Sequence, residues 1–362
     1  METNVKKRID WIDAAKGYGI LAVVLGHCFN KGNFIHNWVF SFHLPLFYML
    51  SGYCFRPERY TAIREMAKEK GRTLLIPYIK FWVLGFFVSL MVPEWRKELH
   101  LKHILIDLYN GYPSSVHLTS TWFLISLFVC ECMLFTTKKC TKFLKNDYAE
   151  YICICLFGIM GYMISVIKSI FYDSVSMGST KDVAFSINRL PLTLDTSMTA
   201  VVFFSCGYWL KCRENDPMEK HGKALPVGLL FANIVFGLFL NERVNLHACT
   251  LGNGLFFYAA AFAGSGFVIC FSKWICSKKN VICRNITVFL VFYGKNSLLM
   301  LGMQSLGIHL YVYILKGITG VEYILYETLP WEYGMAAFLL LTAVFLPIAY
   351  WINSHLNSIV KI

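Results

Sequence analysis

Apolar residues fill long stretches of this chain, and polar residues gather in the short segments between them. A helix needs about twenty consecutive apolar residues to cross the hydrocarbon core of a bilayer. Ten stretches approach this length, and they lie near residues 12–30, 35–55, 74–93, 119–137, 150–171, 189–210, 224–241, 251–272, 296–315 and 334–354. The pattern predicts an all-α integral membrane protein with about ten transmembrane helices.

Composition supports a membrane location. The 362 residues are 56% hydrophobic and only 15% charged, whereas a water-facing domain carries roughly 25% charged residues. No segment between the apolar stretches is long enough for a separate soluble domain, so residues 1–362 are predicted to form a single membrane domain. The first stretch contains Asp13 and Lys16 and is not followed by a small-residue cleavage site, which favours a retained helix over a signal peptide.

The net charge of +12 would suggest nucleic-acid binding in a soluble protein. In a membrane protein, the same excess is expected when Lys and Arg collect in cytoplasmic connections. Here Lys and Arg are concentrated at the N-terminus and in alternate connections. This distribution predicts that both termini are cytoplasmic, and it weighs against nucleic acid as a partner.

The thirteen cysteines are scattered along the chain, many of them inside apolar stretches. They form no CxxC pair, and no Cys/His combination has the spacing of a metal site. We therefore interpret them as small packing residues, and the sequence predicts no metal site.

Ionisable residues lie within the first two apolar stretches, where they are costly unless they face a cavity or a partner. In DWIDAAKGYGILAVVLGHCFN, His27 lies roughly 21 Å along the helix axis from Asp13, so the carboxylate is predicted near the cytoplasmic side and the imidazole toward the outer side. His43 follows in FSFHLPLFYMLSGYCF. A single membrane histidine is usually a hydrogen-bonded packing residue, but a tight hairpin would place these two at the same depth.

A neutral imidazole can remove a hydroxyl proton as the oxygen attacks a thioester, because it titrates close to neutral pH. His27 is our candidate general base, with His43 orienting the hydroxyl or stabilising the developing charge. Glu131, in the fourth stretch, is a further catalytic candidate. Other polar residues inside apolar stretches are Lys80, Asp195 and Asn253. For Lys80 and Asp195, snorkelling or a helix-end position explains the residue equally well.

The connection before the third stretch, RPERYTAIREMAKEKGRTLLIPY, is the most basic one. It leads directly into a helix with Arg72 at its predicted inner end and Lys70 nearby. Such a cluster suits phosphate groups. The alternative is the ordinary excess of cytoplasmic positive charge, attracted to anionic lipid.

Three sequence blocks are specific when taken together: R-x-D-W-I-D-x-x-K-G-x-x-I-x-x-V-x-x-G-H ending at His27, FHLPLFYMLSGYCF starting at Phe42, and RTLLIPY starting at Arg72. Later blocks follow in a matching order: TSTWFLISLF, LPLTLDTSMTAVVFFSCGYWLK, LGNGLFFY and YGKNSLLML. The chain thereby resembles the acyltransferase 3 family of membrane O-acyltransferases, especially its fucose 4-O-acetyltransferase-like branch.

The resemblance implies transfer of an acyl group, most simply acetyl, from cytoplasmic acetyl-CoA to a glycan or lipid-linked saccharide at or beyond the membrane. It implies that His27 is the catalytic histidine and that Arg72 is the second basic position of a donor motif. Gly71 directly precedes Arg72, and the candidates for the first basic position are Lys68 and Lys70. Where the family often has a further histidine, this chain has Gln304. A bacterial inner membrane is the expected location.

The basic cluster and His27 are predicted on opposite sides of the membrane, so donor and base need a polar path between them. Asp13, Lys16 and Glu131 are expected to line that path. The main alternative is a transporter of a glycan or an acyl carrier, since polar residues in helices also mark translocation paths. A third possibility is a receptor or assembly subunit. The absence of a visible inverted repeat, and the crowding of polar motifs into the first three stretches, favour acyl transfer.

Overall fold

The computed structural model of the protein describes residues 8–97, 99–113, 116, 119–143, 148–175, 189–213, 224–321, 323 and 328–355. Within these ranges the chain is helical, and its one β-type pairing is an isolated antiparallel bridge between Asn245 and Thr250. The α-helices are, in chain order, α1 Asp10–His27, α2 Phe34–Phe40, α3 His43–Cys54, α4 Ile63–Met91, α5 Pro93–Arg96, α6 Leu101–Asn110, α7 Trp122–Phe143, α8 Ala149–Val175, α9 Leu194–Cys212, α10 Ala224–Ile234, α11 Gly254–Ser277, α12 Val281–Lys295, α13 Ser297–Thr319 and α14 Trp331–His355.

Each of the ten predicted stretches contains helix. Among the described residues, five helices are long and apolar enough to cross a membrane: α4, the segment Ala149–Ile170 of α8, α11, α13 and α14. The all-helical prediction is confirmed, and these helices indicate a multi-pass membrane protein. Ten crossings and cytoplasmic termini stay predictions.

The second predicted stretch is not one continuous helix. It breaks between α2 and α3, where Phe42 has a φ of −141°. Pro45 lies in the first turn of α3 and has no backbone N–H to donate to the carbonyl of Ser41, so the helical hydrogen-bond ladder is interrupted here. The break places His43 at the first position of α3, on the wall of the cavity described below.

One buried side chain from α10 stabilises this break. Asn233 donates from Nδ2 to Ser41 Oγ at 3.0 Å and to the backbone oxygen of Ala260 in α11 at 2.9 Å. Its Oδ1 accepts a hydrogen bond of 2.8 Å from Trp38 Nε1. The three bonds tie α2, α10 and α11 together and satisfy the polar atoms next to the helix break, as burial in an apolar environment requires.

Glycines allow two pairs of helices to pack at backbone contact. In the contact between α1 and α12, a Cβ atom on Gly17 would collide with the carbonyl of Leu290, and a Cβ atom on Gly294 would collide with the α1 backbone. The same reciprocal arrangement joins α3 to α9 at Gly52 and Gly207. Small residues at close crossings are characteristic of helix packing in membranes. Through these contacts α1 and α3 are fixed in place as neighbouring walls of the candidate site.

Candidate functional site

A cavity of about 470 Å³ lies between α1, α3, α7, α13 and the connection from α10 to α11. Four histidines line one end of it: His27, His36, His43 and His247. The opposite end is lined by Lys16, Ser51 and Ser297 with apolar neighbours. We call the histidine end the outer end and the Lys16 end the inner end, after the predicted orientation of α1. The α1 segment between Lys16 and His27 is about 17 Å long.

Phe40, the last residue of α2, brings three of the histidines together. Its ring centroid lies 3.9 Å from that of His36 in a stacked arrangement. The centroid of His43 is 4.9 Å away and that of His27 is 5.4 Å away, both in edge contacts. The predicted proximity of His27 and His43 is therefore present in the structure, and His36 is an additional member that the sequence did not single out.

Backbone contacts determine which nitrogen of two histidines carries a proton. Nδ1 of His43 lies 2.8 Å from the carbonyl oxygen of Val39, and Nδ1 of His36 lies 2.9 Å from that of Gly26. Because a carbonyl oxygen can only accept, each Nδ1 is the donor. The neutral ring of His43 therefore offers Nε2 as a hydrogen-bond acceptor or base, whereas the ring of His36 has a second backbone hydrogen bond, with Phe29.

The connection between α10 and α11 contributes side chains in strict alternation. Arg243, Asn245 and His247 line the cavity, whereas Val244 and Leu246 are each only 2% exposed and belong to the hydrophobic core. The backbone is irregular up to the bridge residue Asn245 and then forms a turn at residues 246–249, which contains His247. This segment directs three polar residues into the outer end.

Hydrogen bonds hold this connection in shape. Asn245 and Thr250 exchange two backbone hydrogen bonds of 2.7 and 3.0 Å. The side chain of Asn241 accepts from the backbone N–H of Asn253 at 2.8 Å and donates to the carbonyl oxygen of Leu251 at 3.1 Å. Asn253, a polar candidate from the sequence, also accepts from the first backbone N–H groups of α11 and caps that helix. Its role in the structure is local.

Aromatic rings and an ion-pair cluster lie behind His247. Its ring contacts Trp122 and Tyr112, with centroid distances of 5.3 and 4.9 Å. Desolvation lowers the pKa of His247 well below its ordinary value, and the charge of Arg189 lowers it further, so the ring is neutral. Arg189 stacks on Tyr112 at 4.0 Å and lies 3.8 Å from Asp195, which also pairs with Lys168. Asp195 thus anchors two cations and does not line the cavity.

Gln304 and Ser120 complete the polar lining. Gln304 Nε2 donates to Ser120 Oγ at 2.9 Å. The other amide atom, Oε1, is buried and has no hydrogen-bond partner among the described residues. Gln304 therefore retains acceptor capacity at the position where the sequence resemblance led us to look for a histidine. His309 lies outside the cavity lining, with Nδ1 bonded to the carbonyl oxygen of Ser305 at 2.7 Å.

Two of the predicted residues form an ion pair away from the cavity. Lys70 Nζ lies 2.7 Å from Glu131 Oε1, where the side chains are 22% and 5% exposed respectively. The pair joins α4 to α7, and neither residue lines the cavity. In this structure Glu131, which we expected to line the polar path, is the ion-pair partner of Lys70.

The remaining predicted residues are divided between the cavity and its surroundings. Lys16 lines the inner end. Asp13 is buried, with Oδ2 at 3.8 Å from Nε of Arg8, and does not line the cavity. Arg72 is exposed on α4, two residues before Leu74, which does line the inner end. Lys80 is exposed on the same helix.

A second cavity, of about 660 Å³, is separate from the first and lies at the predicted cytoplasmic ends of α1, α3, α9 and α11. Its lining includes three cations, Lys211, Arg213 and Lys273, and one carboxylate, Asp10. It is an additional place where phosphate groups have cationic partners. As for metals, the described residues contain no group of three or more His, Cys, Asp and Glu that could hold a metal ion.

A family model for an acyltransferase domain matches residues 9–354. The chain belongs to the acyltransferase 3 family. The match includes every residue that lines the cavity. No curated protein and no solved structure matched the chain in our searches. Family membership supports a membrane acyltransferase activity, and the cavity is the place in this member of the acyltransferase 3 family where several acid–base groups converge.

Proposed function

We propose that this protein is an O-acetyltransferase that moves an acetyl group from cytoplasmic acetyl-CoA to a hydroxyl of a cell-envelope glycan or lipid-linked saccharide. The observation that carries the proposal is that His27 and Lys16 line one continuous cavity, about 17 Å apart on the same helix. A thioester reaching the cavity from the Lys16 end and a hydroxyl reaching it from the histidine end would meet inside the protein.

In this mechanism, the imidazole of His27 accepts the hydroxyl proton as the oxygen attacks the thioester carbonyl. The tetrahedral intermediate then collapses, the carbon–sulfur bond breaks, and the ester forms. The proton held by His27 passes to the departing sulfur, so that coenzyme A leaves as the free thiol. His43 contributes Nε2 as an acceptor that orients the sugar hydroxyl, because its Nδ1 is bonded to Val39.

The donor phosphates are assigned to the basic end of α4. Arg72 is exposed and precedes Leu74 at the inner end of the cavity. Lys70 is paired with Glu131, so Arg72 is the stronger donor-binding candidate of the two. Lys16 would meet the donor farther in, where the pantetheine arm enters the cavity.

The three sequence blocks around His27, His43 and Arg72 favour the fucose 4-O-acetyltransferase-like branch, and we propose a bacterial inner membrane as the location. The acyltransferase 3 match weighs against the transporter alternative, since a transporter requires no acyl donor. Dependence on coenzyme A is thus the property that separates the two functions.

The test is release of free coenzyme A from acetyl-CoA by the purified full-length chain with a panel of glycan acceptors. His27→Gln is compared with His103→Gln, a histidine exposed on α6 and outside the cavity. We expect His27→Gln to lower kcat by about 10²–10⁴-fold, the usual contribution of a general base, and His103→Gln to have no effect.

Acceptor-dependent release that survives His27→Gln would refute the role of His27 while leaving the transferase activity intact. Failure of the protein to bind acetyl-CoA, combined with no release for any acceptor, would refute the transferase proposal and favour transport.

A further inference from the structure

The ionisable residues that line the cavity are all lysine, arginine or histidine. Lys31 and Arg243 are exposed at the mouth of the outer end, and both belong to connections predicted to lie outside. Among the described residues that line the cavity there is no aspartate or glutamate. A mouth lined by charge of one sign attracts ligands of the opposite sign.

Arg243 is positioned by a built structural element. It lies on the connection that also directs Asn245 and His247 into the cavity, while Val244 and Leu246 are buried in the core. The same alternation removes Glu242 from the cavity lining. The Asn245–Thr250 bridge closes this segment on itself. The backbone that carries Arg243 is therefore held in a defined position. Its guanidinium group can bind a carboxylate or a phosphate through two parallel hydrogen bonds.

Neutral polar groups accompany these charges at the same end. The amide of Asn245 and the buried Oε1 of Gln304 line the cavity beside Trp122. Gln304 Oε1 has no hydrogen-bond partner among the described residues, so a sugar hydroxyl is a suitable donor to it. A buried polar atom of this kind favours a ligand that satisfies it and disfavours one that does not.

We infer that the acceptor is an acidic saccharide, with a carboxylate or phosphate held by Arg243 and Lys31 and with hydroxyls held by Asn245 and Gln304. The role of this saccharide as acetyl acceptor rests on the proposed function. The preference for binding an acidic saccharide does not depend on catalysis. The segment at residues 243–247 is then the specificity-determining element of the outer end.

The experiment measures binding of matched probes to the full-length protein in nanodiscs of neutral lipid. One pair is p-nitrophenyl β-D-glucuronide and p-nitrophenyl β-D-glucoside, which differ only in the carboxylate. The other pair is glucose 6-phosphate and glucose, so that carboxylate and phosphate recognition are separated. We expect the acidic member of at least one pair to bind about tenfold more tightly or better, as for one charge-assisted contact, and added salt to weaken it.

Arg243→Gln should abolish that preference, and Lys31→Gln should reduce it. The matched control is Arg284→Gln, since Arg284 is exposed on α12 and does not line the cavity, and it should keep the preference. The melting temperature of each variant shows whether it is folded, and Lys31→Gln maintains the test if Arg243→Gln fails to fold.

Equal affinity within both pairs, or a preference that persists in both Arg243→Gln and Lys31→Gln, would overturn the inference. Lack of binding by every acidic probe at about 10 mM, a weak-binding limit, would overturn it as well. A separate titration with acetyl-CoA distinguishes the two proposals. If the protein binds acidic probes but not acetyl-CoA, the transferase proposal is refuted and the acidic-saccharide inference is retained. If it transfers acetyl groups without any preference for acidic acceptors, the inference is refuted and the transferase proposal is retained.

Discussion

At its outer end the cavity is lined by four histidines, two cations and two amides, whereas at its inner end it is lined by Lys16, two serines and apolar residues such as Leu74. The outer end includes irregular backbone: the break between α2 and α3 and the connection before α11. The inner end is formed by continuous helices. The histidines therefore lie near helix ends and in the connection before α11, and the helix interiors provide the walls.

The sharpest test of this comparison uses two cavity-lining residues of α3, one at each end. His43→Gln should lower kcat about 10²-fold, since it removes an orienting group from the reacting hydroxyl. Ser51→Ala at the inner end should leave kcat nearly unchanged. The measurement is steady-state coenzyme A release at saturating acetyl-CoA. Equal losses for the two variants would mean that the ends are not chemically distinct.

The next test concerns the helix packing that forms the walls of the cavity. Gly17→Ala should destabilise the protein by about 1–3 kcal/mol through overpacking, because the new methyl group meets the Leu290 carbonyl. Gly228→Ala in α10, where a Cβ atom meets open space, should stabilise slightly, by about 0.5–1 kcal/mol from helix propensity. Melting temperatures in detergent provide the readout. A stable Gly17→Ala variant would show that α1 and α12 are free to separate.

A smaller effect is expected where the donor docks. Arg72→Ala should raise KM for acetyl-CoA about tenfold with little change in kcat, as for a lost ground-state contact. Lys273→Ala, in the second cavity, is the comparison variant and should leave KM unchanged. The opposite result would move the donor phosphates from α4 to the second cavity.

The smallest effect is expected for the Lys70–Glu131 pair. A double-mutant cycle with Lys70→Met and Glu131→Gln should give a coupling of about 1 kcal/mol in stability, as for a partly buried ion pair. Because neither residue lines the cavity, Glu131→Gln should lower kcat only as far as it lowers the folded fraction. A large fall in kcat with an unchanged melting temperature would restore Glu131 to the catalytic set.

The sequence predicted those parts of the site that depend on helix periodicity and hairpin geometry. His27 and His43 were expected at matching depth because two consecutive apolar stretches form a hairpin, and both line the same cavity. The apolar stretches themselves located the principal helices, because bilayer thickness constrains span length directly.

Other parts were missed for physical reasons. The pairing of Lys70 with Glu131 joins residues 61 positions apart, and hydropathy contains no information about partners. The segment at residues 243–247 is too short and too polar to register as a span. Its alternation of polar and apolar residues would have predicted a strand, whereas residues 246–249 form a turn. Pro45 was an equally usable signal for the break before α3, since proline interrupts the helical ladder.

Asn233 also has a consequence for the order in which the chain is assembled. The polar atoms beside the break at Ser41 belong to the second stretch to be synthesised, but Asn233, which bonds to Ser41, arrives nearly two hundred residues later. Until α10 has been synthesised, Ser41 and Trp38 lack this partner. The break before α3 therefore reaches its final hydrogen bonding only after α10 has joined the first helices, and a chain ending before residue 224 would lack those bonds.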